Sequence, residues 1–118
     1  MAEGFARRYG SDVMVPASAG LVPAVGVAPD TVRTMDEKNI DIRDHFPKSI
    51  KQLGRAQFDL IINMSGFELP PDVTTPSRDW DVQDPIGENE ETYRQVRDYI
   101  EGLVMHLILE LRRAAKPR

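Results

Sequence analysis

Asp84, Ser18 and His45 are the side chains of this 118-residue chain whose types and settings could do chemistry. Asp84 precedes Pro85, whose fixed φ stiffens the loop that carries this carboxylic acid. The same dipeptide also suits a plain turn ahead of a helix. Taken by themselves, Ser18 reads as a polar strand end and His45 as a surface histidine. The serine hydroxyls lack an adjacent base to activate them, and no motif cradles phosphate. The chain contains no cysteine. That excludes, within these residues, a thiolate nucleophile, a disulfide and any Cys-ligated zinc or iron–sulfur site. His45 and His106 are far apart and show no ligand spacing, so neither a metal site nor a cofactor is expected.

The elements that must position these groups form one domain, residues 1–118, large enough for a single core. Fifteen Lys and Arg against nineteen Asp and Glu give a formal charge of −4. Nucleic-acid binders usually carry a basic face, so no nucleic-acid partner is expected. No apolar run reaches the roughly 20 residues of a membrane span. No basic region followed by an apolar one marks a signal peptide either. A cytoplasmic protein without membrane contact is expected.

Helical and strand signals alternate, which predicts an α/β fold. Ala2 to Tyr9 reads as a helix stopped by Gly10. Val13 to Ala19 reads as a strand, with Pro16 marking it as an edge. Pro29 opens a helix running to about Lys38, and Pro47 could begin a short one ending at Leu53. Phe58 to Met64 is an apolar run of strand length, as in a strand covered on both faces. Trp80 to Gln83 reads as a short last strand. The final helix should start near Asn89, a good N-cap, with Glu90 and Glu91 at its positive end. Tyr93, Val96, Ile100, Leu103, Leu107 and Leu111 form its apolar stripe. Val104, Met105, Ile108 and Leu109 add apolar surface beyond that stripe, which deeper burial within the domain or a partner could cover.

Five stretches, in order, carry a resemblance. They are Met1-Ala2-Glu3-Gly4-Phe5-Ala6-Arg7-Arg8-Tyr9-Gly10; Ser18-Ala19-Gly20; Ala28 to Met35 with Ile40-Asp41-Ile42; Phe58 to Met64; and Trp80-Asp81-Val82-Gln83-Asp84-Pro85. Together they resemble the low-molecular-weight protein tyrosine phosphatases and the thioredoxin-coupled arsenate reductases that share their fold. The resemblance implies a three-layer α/β fold of phosphotyrosine phosphatase I type, with a parallel sheet flanked by helices. It also implies phosphate-monoester hydrolysis or arsenate reduction through a Cys nucleophile, with phosphate, arsenate or a phosphoprotein as ligand. By this resemblance Asp84 holds the position of the general acid. Ser18 and His45 match residues that support the anion loop by hydrogen bonds.

The sequence departs from the family pattern in several places. The strand and Cys-x5-Arg loop that precede the first helix have no counterpart in the chain. Ile86 and Gly87 stand where tyrosine-specific members carry aromatic residues, so this loop looks closer to the reductase branch. Ser65 stands nearest the second cysteine of that branch, and no cysteine follows it, so the thiol relay is absent. Lys48 falls where some reductases place a carboxylate for potassium, so no potassium site is implied.

A sheet without its central strand is expected to shorten to about three strands and to self-associate through open edges. One expectation is that Met1 is an internal start, with a strand and the Cys loop encoded roughly 15–20 residues upstream. The chain as given is then an incomplete, inactive member of an enzyme family. The alternative is a non-catalytic binding or oligomerising module derived from the same fold.

Overall fold

The longest described element, α3 (Glu90–Ala115), is the surface on which the two shorter helices are built. The computed structural model describes residues 1–19, 28–43 and 57–115. His45, Lys48 and the helix expected from Pro47 to Leu53 lie outside them. Asn89 Oδ1 accepts the Thr92 N–H at 2.9 Å, satisfying one of the amide groups left open at the helix start. Tyr93, Val96, Ile100, Val104, Leu107 and Ile108 are the apolar residues that α3 buries. The buried stripe therefore turns through Val104 and Ile108. Leu103 and Leu111, expected within it, are only half-buried.

Two shorter helices, α1 (Ala2–Gly10) and α2 (Pro29–Asp36), pack against α3. Phe5 and Ala6 of α1 and Met35 of α2 enter the core with Ile40 and Ile42. The Phe5 and Tyr9 rings stack with centroids 6.1 Å apart. Gly10 ends α1 with Ser11 still in the right-handed helical region, so the left-handed glycine stop expected from sequence does not form. Its requirement is steric instead: a Cβ there would lie 2.8 Å from Ile108 Cγ1. Beyond α2, Asn39 takes φ +60° and Ile40 N donates to Met35 O at 3.2 Å. This is the left-handed closure that asparagine tolerates.

α3 also buries one charge. Arg97 Nη1 donates to Thr34 O at 3.0 Å and to Glu37 Oε1 at 2.6 Å, and its Nε donates to Asp98 Oδ1 at 2.9 Å. A guanidinium with its donors occupied in this way avoids the cost of a lone buried charge. It ties the end of α2 to the middle of α3.

The sheet is parallel, with β1 (Ile61–Asn63) beside β2 (Ser77–Asp79) in the register Ile61↔Ser77. Ile61 N donates to Pro76 O and Trp80 N to Asn63 O, both at 2.9 Å, extending the ladder at each end. Three strand expectations need correction. The strand expected over Phe58 to Met64 is limited to Ile61–Asn63, the residues that pair with β2. Val13 to Ala19 is irregular: Val13 and Met14 amides close a turn on Gly10 O, and Arg7 Nη2 donates to Pro16 O. No strand lies beside this segment among the described residues. The last strand is Ser77–Asp79 and ends before the expected Trp80 to Gln83, because pairing to β1 sets its position although all three of its residues are exposed. The architecture is α/β as expected, with two described strands rather than about three.

Candidate functional site

Asp84 lies on the loop between β2 and α3. Its Oδ1 accepts the Ile86 N–H at 3.0 Å, and Glu88 N donates to Pro85 O at 2.9 Å. Gly87 takes φ +84°, which lets the chain turn back toward the Asn89 cap. The carboxyl group is thereby held by one oxygen. Oδ2 takes no hydrogen bond from the described residues, and the side chain is exposed. The neighbouring Tyr93 phenol is pushed up chiefly by burial, then by the charges of Asp30 and Asp84, with Arg33 opposing. Arg33 pairs with Asp30 and, at 3.0 Å, with Glu90, so the start of α3 carries fixed charge of both signs.

Ser18 is engaged elsewhere. Its Oγ donates to Glu3 Oε1 at 2.9 Å, while Arg7 Nε donates to Glu3 Oε2 at 3.2 Å. Glu3 is buried at the first turn of α1, and the hydroxyl and the guanidinium help to make its charge tolerable there. Sequence reasoning missed Glu3. Its position alone suggested only a favourable charge at a helix start. The structure thus gives Ser18 a carboxylate partner, whereas sequence reasoning had matched it to a loop of backbone amides. His45 lies outside the described residues.

Ser65 follows β1 in a tight turn at Gly66, which takes φ +78°. Ser65 N and Oγ both donate to Asn63 Oδ1, at 3.1 and 2.7 Å, and Asn63 Nδ2 donates to Phe67 O at 2.7 Å. Phe67 N donates back to Ser65 Oγ at 3.1 Å. The hydroxyl is therefore consumed in holding the turn. Among the described residues no group of His, Cys, Asp or Glu could hold a metal ion, and no helix is long and apolar enough to cross a membrane.

A family model described as low molecular weight phosphotyrosine protein phosphatase matches residues 1–69. The chain belongs to this family. Its relatives include the glutaredoxin arsenate reductase of Synechocystis sp., 32% identical over 115 residues that cover 94% of this chain and 87% of that protein. An arsenate reductase of Halalkalibacterium halodurans is 34% identical over 110 residues, covering 85% of this chain and 78% of that one. Among solved structures, an arsenate reductase in the phosphate binding state superposes with TM-score 0.84 at 32% identity, over 93% of this chain and 86% of that one. The family fold is therefore shared. The sequence match and the structural match both extend beyond the family model, through the Asp84 loop and α3.

Proposed function

We infer that residues 1–118, as one domain, carry the acid-bearing and supporting part of a phosphate- or arsenate-handling site of this family. In this reading Asp84 gives its proton to the leaving oxygen as the P–O or As–O bond breaks, with the freed electron pair remaining on that oxygen. Ser18 and His45 hold the anion loop in place, Ser18 acting from its bond to Glu3. A cytoplasmic setting belongs to the same proposal. The attacking atom in this chemistry is a thiolate, and these residues contain no cysteine. They alone then neither hydrolyse phosphate monoesters nor reduce arsenate.

The observation that carries the inactivity is the complete lack of cysteine in a chain whose relatives are arsenate reductases. Ser65 adds to it, because a serine hydroxyl locked into the Asn63 turn cannot form the disulfide that a thiol relay requires. The test is arsenate-dependent oxidation of a thiol reductant by the purified chain. No arsenite above the buffer control is expected, and arsenite formation dependent on the protein would overturn the reading.

A non-catalytic, self-associating module is the second reading. It is favoured by the open outer edges of β1 and β2, which meet no further strand among the described residues, and by Leu109, 46% exposed on α3. Sedimentation at micromolar concentration distinguishes the two: a dimer supports the module, and a monomer removes it.

A further inference from the structure

At the carboxyl ends of β1 and β2 the structure forms a groove of about 570 Å³, within the range usual for ligand sites. Met64, Leu69, Trp80 and Val82 line it and are each half-buried, and Phe67 lines it while remaining 72% exposed. Glu68, Asp79 and Asp81 also line it, and no Lys, Arg or His does. None of these three carboxylates enters an ion pair or hydrogen bond among the described residues. Carboxylates elsewhere differ: Glu37, Asp98 and Glu101 between the helices, and Glu110 of α3 against β2, all face Arg or Lys. Among the described residues the groove is therefore an apolar surface whose negative charge meets no cation. Its walls are fixed in advance by the bonds from Asn63 Nδ2 to Phe67 O and from Trp80 N to Asn63 O, so little ordering cost attends binding.

An anion is repelled from such a place, and Asp84 and Ser18 do not line it. An indole surface beside carboxylates is instead the chemistry that receives a cation. The charges are spread over two separate stretches, Asn63 to Leu69 and Ser77 to Val82, with apolar residues between them. A single small cation would meet only part of this surface. We propose that the groove docks an extended segment of a partner protein that carries Lys or Arg next to an apolar side chain. This goes beyond the phosphate or arsenate reading and stands or falls separately from it.

Trp80 is the single tryptophan, so its emission reports on the groove. The probe is the capped hexapeptide Ac-AKLRLA-NH2, with Ac-AELELA-NH2 as its acidic counterpart. The basic peptide should change Trp80 emission saturably and more weakly as salt is raised. The combined Asp79→Asn and Asp81→Asn variant should lose about three- to tenfold in affinity, as expected for two exposed charge contacts. Both residues are exposed and unpaired, so circular dichroism should be unchanged; Glu68→Gln serves if the double variant unfolds. Equal response to both peptides, undiminished affinity in the variants, or no saturation at millimolar peptide would overturn the proposal. Arginine amide binding as tightly as the hexapeptide would replace it with a small-cation site. A dimer that dissociates in the variants would assign the groove to a second copy.

Discussion

Ser65 Oγ donates to Asn63 Oδ1 at 2.7 Å and accepts from Phe67 N at 3.1 Å, so one hydroxyl closes the turn after β1 in both directions. Replacing it with a methyl group leaves the Phe67 amide and one Asn63 lone pair to water. Ser65→Ala should cost about 0.5–1.5 kcal/mol, the net worth of an ordinary internal hydrogen bond. Urea unfolding followed by Trp80 emission checks this, because Trp80 N bonds Asn63 O directly beside the turn.

Glu37 accepts from Arg94 Nε and Nη2 and from Arg97 Nη1. Arg94 first, and then Arg97, hold its carboxyl down at about 2, against an ordinary 4.5. The folded value is the lower one, so the ionised pair stabilises the fold fully above 4.5, and that contribution disappears as pH falls through about 2. The melting temperature of the native chain should therefore drop across this window. Glu37→Gln should melt lower at neutral pH and show a shallower acid slope. Asp98 and Glu110, also lowered by arginine partners, leave a residual slope. Parallel slopes in the two proteins would remove the role assigned to Glu37.

Ile108 is fully buried, whereas Leu109 beside it is 46% exposed. Of the two explanations for the extra apolar residues of α3, burial within the chain holds for Val104 and Ile108, whereas Leu109 stays exposed. Ile108→Ala should cost about 2–5 kcal/mol through the cavity it leaves. Leu109→Glu should change stability by less than about 0.5 kcal/mol. If the chain self-associates through α3, Leu109→Glu is the variant that separates subunits without unfolding them, as sedimentation would show.

Gly10 and Ile108 offer a coupled test. Alanine at Gly10 would gain helix propensity of about 0.5–1 kcal/mol, yet its Cβ would lie 2.8 Å from Ile108 Cγ1 and 2.9 Å from Cδ1. Overpacking of this kind typically costs about 1–3 kcal/mol, so Gly10→Ala should destabilise. Combining it with Ile108→Val should recover part of the loss, because the shorter side chain lacks Cδ1. Strict additivity of the two changes in a double-mutant cycle would contradict the close approach.

What could be read from sequence was what depends on near neighbours in the chain. The Asn89 cap, the Pro29 start and the acidic first turn of α3 are local devices, and each is found in place. Gly10 does end α1, but its steric role was hidden because its partner lies on the far side of the chain, on α3. The strand expected at Val13 to Ala19 rested on composition, and a strand exists only where another strand supplies its hydrogen bonds. Ser77–Asp79 gave no signal, since its residues are polar and exposed, and its place is set by pairing to Ile61–Asn63. At the site, the turn at Asp84 ahead of α3 was legible from its proline, while its role as an acid belongs to the proposal. The partnership of Ser18 with Glu3 was not legible, because a buried glutamate at a helix start resembles an ordinary favourable charge.

The most direct measurement is hydrolysis of p-nitrophenyl phosphate by the purified 118-residue chain, beside its Asp84→Asn variant. Without a thiolate to attack phosphorus, both proteins should release p-nitrophenol at the buffer rate, since a proton donor alone has no intermediate to act on. Turnover by the native chain that disappears in Asp84→Asn would contradict the account, because it would mean that these residues hold a nucleophile other than cysteine.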